Sequence, residues 1–164
     1  MEQIITDLAA VLAAASPLIF ATMGETISER AGVVNLSLDG SMLLAAMTGF
    51  AVGVTTGSLL LGFAAAALIG ALVALILGGL SLSLGQPQTA VGFVLALLCT
   101  DLSSFLGAPF VRLPGPAVPH APLPGLSAVP LLGPLFFNHD LLIYASFLLV
   151  PLIWWFFYRT RAGL

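Results

Sequence analysis

The chain carries seven acidic residues and four Arg, and four of these eleven charges stand in one stretch, GETISERAGVVNLSLDG, between Gly24 and Gly40. Glu25 and Glu29 are four residues apart, as are Asn35 and Asp39, and Ser37 and Ser41. If the stretch is helical, each pair lies on one face, so that Asn35 and Asp39 present an amide and a carboxylate together. Ionisable groups at bilayer depth are costly unless paired or wetted, and where they occur they usually mark a path for solute or ion. Gly24, Gly32 and Gly40 divide the stretch and favour turns or close backbone approach. A discontinuous second helix is therefore expected, whose free backbone groups can hold a substrate or ion. Asn35, Ser37 and Asp39 are candidates for a translocation path or its coupling. Glu25, Glu29 and Arg30 join them, with a solvated turn that merely caps helix ends as the competing reading.

Catalysis is the first alternative. His120, His139 and Asp140 could be imagined as metal ligands or a general base. His120 stands among Pro residues, however, and no second pair at helical spacing or plausible nucleophile partner accompanies them. The expectation is loop histidines in water, no metal and no catalytic residue. Cys99 is the single Cys, so neither an intrachain disulfide nor a Cys-based metal cluster can form. Lys is absent and the four Arg residues, Arg30, Arg112, Arg159 and Arg161, form no basic patch. Nucleic acid is excluded as a partner on that ground.

The elements that must position these residues are membrane helices. Of 164 residues, 60% are hydrophobic and 7% charged, with a mean hydropathy of +1.15, far from soluble domains. The fold class is all-α integral membrane protein, with the lipid bilayer as its solvent. About 20 apolar residues cross a hydrocarbon core, and five runs qualify: roughly 6 to 25, 34 to 56, 58 to 84, 88 to 107 and 140 to 158. The runs are continuous and lack two-residue alternation, which excludes barrel strands. The acidic start MEQIITD, with no small-x-small cleavage pattern after the first run, predicts a retained helix. Residues 107 to 139 hold most of the Pro, which prevents a continuing helix. They form an extracytoplasmic loop, with a short re-entrant piece expected near Leu131 to Phe137.

Arg159 and Arg161 follow the fifth run and place the C-terminus in the cytoplasm. Counting back puts the N-terminus outside; Arg30 agrees with this and Arg112 does not. In the third run Gly62, Ala66, Gly70, Ala74 and Gly78 recur every four residues, a small-residue stripe expected to pack against another helix. Phe20, Phe50 and Phe93 are available to stack on a flat substrate ring, and Asp101 lies a turn or so from the outer interface, either wetted or paired or touching substrate.

The string SPLIFATMGETISERAGVVNLSLDGSMLLAAMTGFAVG resembles the start of permease subunits of bacterial ATP-binding cassette importers, in the nucleoside and simple-sugar branch related to ribose and branched-chain amino-acid permeases. Ser28, Glu29, Arg30, Gly32, Val33, Asn35, Leu36, Leu38, Asp39 and Gly40 match that branch's S-E-R-x-G-V-x-N-[IL]-x-[LIV]-[ED]-G block. The Gln-led QPQTAVGFVLALLCTDLSSFLG resembles its fourth helix, and YRTRAGL the opening of the cytoplasmic segment that follows the fifth. Asp101 and Cys99 depart from the apolar or small residues expected there, and Ala90 from Gly.

The resemblance implies a multi-pass pathway subunit of the bacterial plasma membrane, for a nucleoside, purine, riboflavin-like compound or sugar. Its implied partners are a second permease subunit, cassette ATPase subunits that bind ATP and Mg, and an extracytoplasmic substrate-binding lipoprotein. The chain itself has no G-x-x-x-x-G-K-[ST] phosphate loop and is expected to be neither an enzyme nor a cofactor carrier. Members of the branch run to about twice this length, so the resemblance also implies the N-terminal half of a larger polytopic permease, a fragment or the product of a split gene. A channel or membrane assembly subunit without ATP coupling is the remaining alternative.

Overall fold

The computed structural model describes residues 2–119 and 136–160. Among them five helices are long and apolar enough to cross a membrane: α1 (Glu2–Arg30), α2 (Leu38–Thr56), α3 (Leu59–Gly78), α4 (Gln88–Gly107) and α5 (Leu141–Arg159). A π-helical turn, Gly79–Ser83, prolongs α3, and a 3-10 turn, Ala108–Phe110, prolongs α4. The chain divides into two compact units, one made of the chain up to Thr26 and from Val118 onward, the other of Ile27–Ala117.

The first expectation to be corrected is where α1 stops. It continues through Glu25, Glu29 and Arg30 rather than ending in a turn near residue 25. Gly24 costs an α-helix interior only about 1 kcal/mol against Ala, and at 29 residues, about 43 Å of helix, α1 exceeds the hydrocarbon core, so its last turns need not be apolar. Gly32 ends it. With φ at +84°, Gly32 adopts the left-handed conformation that a Cβ disfavours. Its N–H donates to Glu29 O at 3.0 Å and that of Val33 to Ser28 O at 2.9 Å, the paired bonds of a Schellman ending that satisfy the terminal carbonyls.

In the Ile27–Ala117 unit, α2 packs along both α3 and α4. The core is Leu44, Val73, Leu77, Leu95 and Cys99, with Val33, Met47, Ile69 and Val91 against it. The α2–α3 connection is a tight reversal: Gly57 takes φ +68°, and the Ser58 hydroxyl accepts from Leu61 N–H at 3.4 Å at the head of α3. Gly85, φ +64°, serves the turn into α4, where Gln86 N–H donates to Leu80 O at 3.1 Å.

Among the described residues the small-residue stripe meets a close neighbour only at its start. A Cβ on Gly62 would lie 2.7 Å from Gly49 O, and one on Gly49 would lie 3.2 Å from the Ala66 methyl, so α2 and α3 approach closely there. Gly70 and Gly78 have no such neighbour among the described residues, and Ala74 is exposed. The inward face passes instead to Ile69, Val73 and Leu77. A strict four-residue repeat advances about 40° per step on a helix of 3.6 residues per turn, so the five positions cannot stay on one face.

In the other unit, α5 follows Asp140, whose carbonyl accepts from Ile143 N–H at 3.0 Å. The Tyr144 hydroxyl accepts from the N–H of buried His139 at 3.0 Å. His120 and Arg161 lie outside the described residues, as does most of the expected re-entrant piece, Leu131 to Leu135.

Candidate functional site: a polar joint docked on the fourth helix

Between α1 and α2 the chain runs without helix from Ala31 to Ser37, so the interruption expected in this stretch falls at its front and Asp39 is already in the first turn of α2. Asn35 is therefore not helical, and the shared helical face drawn for Asn35 and Asp39 does not form. Asn35 folds the backbone locally: its Oδ1 accepts from Ser37 N–H at 3.0 Å and from the Ser37 hydroxyl. This side-chain mimic of a turn is what Asn does well. Ser37 is fully buried, and its carbonyl accepts from Ser41 N–H at 2.9 Å. The Ser41 hydroxyl in turn donates to Leu38 O at 2.9 Å.

One face of α4 receives this joint. Gln88 Oε1 accepts from Val34 N–H at 2.9 Å, and Gln88 Nε2 donates to Gly32 O at 3.3 Å. One amide thus satisfies a donor and an acceptor of a backbone segment that has no helix or sheet of its own. One turn on, Gly92 leaves room for Leu36, whose N and Cβ would lie 3.0 Å from an added Cβ. A turn further, Gly40 meets α4 so closely that a Cβ there would overlap the Ala96 carbonyl. Ser103 completes the track, its hydroxyl donating to Leu43 O at 3.1 Å. Gln88, Gly92 and Ala96, four residues apart, form a ridge of one anchor and two small residues along which Gly32 to Gly40 is laid.

The other predicted residues are distributed around this joint. Asp39 is exposed; Glu25 is half-buried and Glu29 exposed, both in α1, and Arg30 is its exposed last residue. Asp101 is exposed on α4. The aromatic candidates are not brought together: Phe20 is exposed on α1, Phe93 is exposed on α4, and Phe50, well along α2 from the joint, sits where a Cβ on Gly115 would meet its ring at 2.5 Å. Among the described residues no three His, Cys, Asp or Glu side chains converge to hold a metal. The sequence reading assigned no role to Gln88, Gly92 or Ala96. Their four-residue spacing directly after Pro87 was the available signal, and only the distant partner segment gives it meaning.

A family model described as branched-chain amino acid transport system / permease component matches residues 8–164. A putative glucose ABC transporter permease protein of Haloferax volcanii is 38% identical over 159 residues, covering 94% of this chain and 48% of the relative. A guanosine ABC transporter permease protein of Bacillus subtilis is 32% identical over 170 residues, covering 94% and 52%. A nucleoside ABC transporter permease protein of Lactococcus lactis subsp. cremoris is 29% identical over 160 residues, covering 91% and 50%. The chain thus spans about half the length of these relatives. No solved structure gave a significant match.

Proposed function

The chain belongs to the branched-chain amino acid transport system / permease component family, and from that premise we propose that it forms part of the translocation path of an importer for a sugar-bearing or nucleobase-bearing solute. The observation that carries this reading is the match of at least 91% of the chain to glucose, guanosine and nucleoside permeases. ATP and Mg are bound and hydrolysis is done by cassette ATPase subunits. A second permease subunit completes the path, and an extracytoplasmic binding protein delivers the solute. The chain lies in the plasma membrane with its N-terminus outside and its C-terminus cytoplasmic, the side favoured by Arg159 at the end of α5.

In this reading the joint is a coupling element. The segment 31–37 is not helical, yet Gln88 holds it to α4 through Gly32 and Val34, Leu36 packs on Gly92, and Gly40 just beyond it meets Ala96. A displacement of α4 during the ATPase cycle therefore carries the end of α1 and the start of α2 with it, as alternating access by rocking helices requires. Asn35 and Ser37 maintain the joint's shape; Asp39, exposed at its rim, faces the path. The test is ATP-driven uptake by the assembled transporter in proteoliposomes, with labelled glucose, guanosine and uridine as probes. Accumulation of at least one against its gradient, abolished by omitting ATP, is expected. Equal ATP-independent equilibration of all three would identify a channel instead.

A further inference from the structure

Asp101 stands at an unusual depth. The span that contains it runs from Gln88 to Phe110, 23 residues, because the 3-10 turn prolongs α4 beyond Gly107. Asp101 is two residues past the middle of that span, roughly 3 Å along the axis. A short Asp side chain cannot reach either membrane surface from there. The residue is exposed and has no hydrogen bond or ion pair among the described residues. The hydroxyls beside it are committed elsewhere: Thr100 donates to Ala96 O at 2.8 Å, Ser104 to Thr100 O at 3.0 Å and Ser103 to Leu43 O. The described cations of its own unit are at the wrong depth, since Arg30 ends α1 and Arg112 lies beyond the end of the α4 span. A carboxylate on this face in contact with lipid would be strongly disfavoured, so the face is met by water or by hydrogen-bond donors. Phe105, four residues on and on the same face, is the most exposed aromatic ring of α4, at 78%.

We propose that Asp101 and Phe105 form a mid-membrane contact for the sugar ring of the transported solute. The carboxylate accepts hydrogen bonds from neighbouring hydroxyls, and the phenyl face packs against the ring's C–H surface. This rests on the transport reading above and adds what it leaves open, namely which part of the solute the path recognises. The pair reads hydroxyls, not the nucleobase.

The experiment uses the assembled transporter in proteoliposomes with ATP, comparing labelled guanosine and glucose with their deoxy analogues. Replacing a charged acceptor of two hydroxyls should cost about tenfold or more in transport of the hydroxylated solute. Asp101→Asn is expected to show this loss, while uptake of the deoxy analogue that lacks the contacted hydroxyl falls about threefold or less; Phe105→Ala, which removes packing on the ring's C–H surface, is expected to lower uptake of both alike. The charge-keeping Asp101→Glu is expected to show the same selective loss. In a Cys99→Ser background, Asp101→Cys should react with a water-soluble thiol reagent and be protected by the transported solute, whereas Leu75→Cys on the exposed apolar face of α3 should react slowly. Equal losses on hydroxylated and deoxy solutes in the Asp101 variants, or no loss in the Asp101 or Phe105 variants, would overturn the assignment and leave transport standing; equal losses in the Asp101 variants would point to pairing with another protein helix. Absence of ATP-driven uptake of any probe by the unsubstituted transporter would overturn the transport reading and this contact with it.

Discussion

Gln88 reaches two backbone groups, on Val34 and Gly32, that are 54 and 56 residues away along the chain. Each such bond contributes about 0.5 to 1.5 kcal/mol net, and this pair is partly open to solvent. Gln88→Ala is accordingly expected to destabilise the transporter by about 1 to 2 kcal/mol, read as a lowered unfolding temperature in detergent. Gln88→Glu keeps the acceptor for Val34 but turns a second oxygen toward Gly32 O, so it should be no better than Ala. Within the joint, Asn35→Ala removes the acceptor for both the Ser37 amide and hydroxyl, whereas Ser37→Ala leaves the amide bond in place. The Asn35 variant should therefore be the less stable of the two, and an inverted order would show that the turn is held by something other than the Asn35 side chain. Asn35 and Ser37 could be singled out in the sequence because polar residues amid apolar ones are conspicuous. Gln88 could not be given its role, because a Gln at a helix start is an ordinary residue until its partner segment is known.

At the scale of elements, continuous apolar runs bounded by Gly, Pro or charge made α3, α4 and α5 legible almost to the residue. The end of α1 was not. Glu25, Glu29 and Arg30 look like a turn on grounds of charge, but they suit a helix, and the left-handed Gly32 rather than polarity decides the stop. Among the described residues the stripe on α3 meets a neighbour only at its start, since its period of four drifts around the helix while the contact face follows Gly62, Ala66, Ile69, Val73 and Leu77. This makes glycine substitutions informative. Gly40→Ala places a methyl on the Ala96 carbonyl, backbone that cannot move aside as a side chain would. Overpacking of this kind costs about 1 to 3 kcal/mol, and the variant should lose both thermal stability and uptake. Gly70→Ala and Gly78→Ala, with nothing near the added methyl, should be neutral or stabilising by up to about 1 kcal/mol through helix propensity. If both lowered stability as much as Gly40→Ala does, a further partner on that face of α3 would be required.

The whole molecule poses a question of direction, which span counting reduces to a single measurement. Leu59–Ser83 is 25 residues of continuous helix, about 37 Å, longer than the roughly 30 Å hydrocarbon core. The turns on either side of it, at Gly57–Ser58 and at Leu84–Pro87, must therefore lie on opposite faces of the membrane. Arg30 follows the first span and Arg159 ends the fifth; four crossings separate them, so they share a side, and Arg112 after the fourth lies opposite. Two described Arg residues against one support, by the preference of Arg for the cytoplasmic side, the proposed orientation with Arg30 and Arg159 on that side, and Arg161 in the sequence adds to the majority. In a Cys99→Ser background, Ser58→Cys should then be labelled by a membrane-impermeant thiol reagent in intact cells, and Gln86→Cys only after permeabilisation. The reverse pattern would place the joint on the outer side, where it could not be driven by cytoplasmic ATPase subunits. Coupling through α4 and Gln88 would then be excluded even if the transporter accumulated its solute.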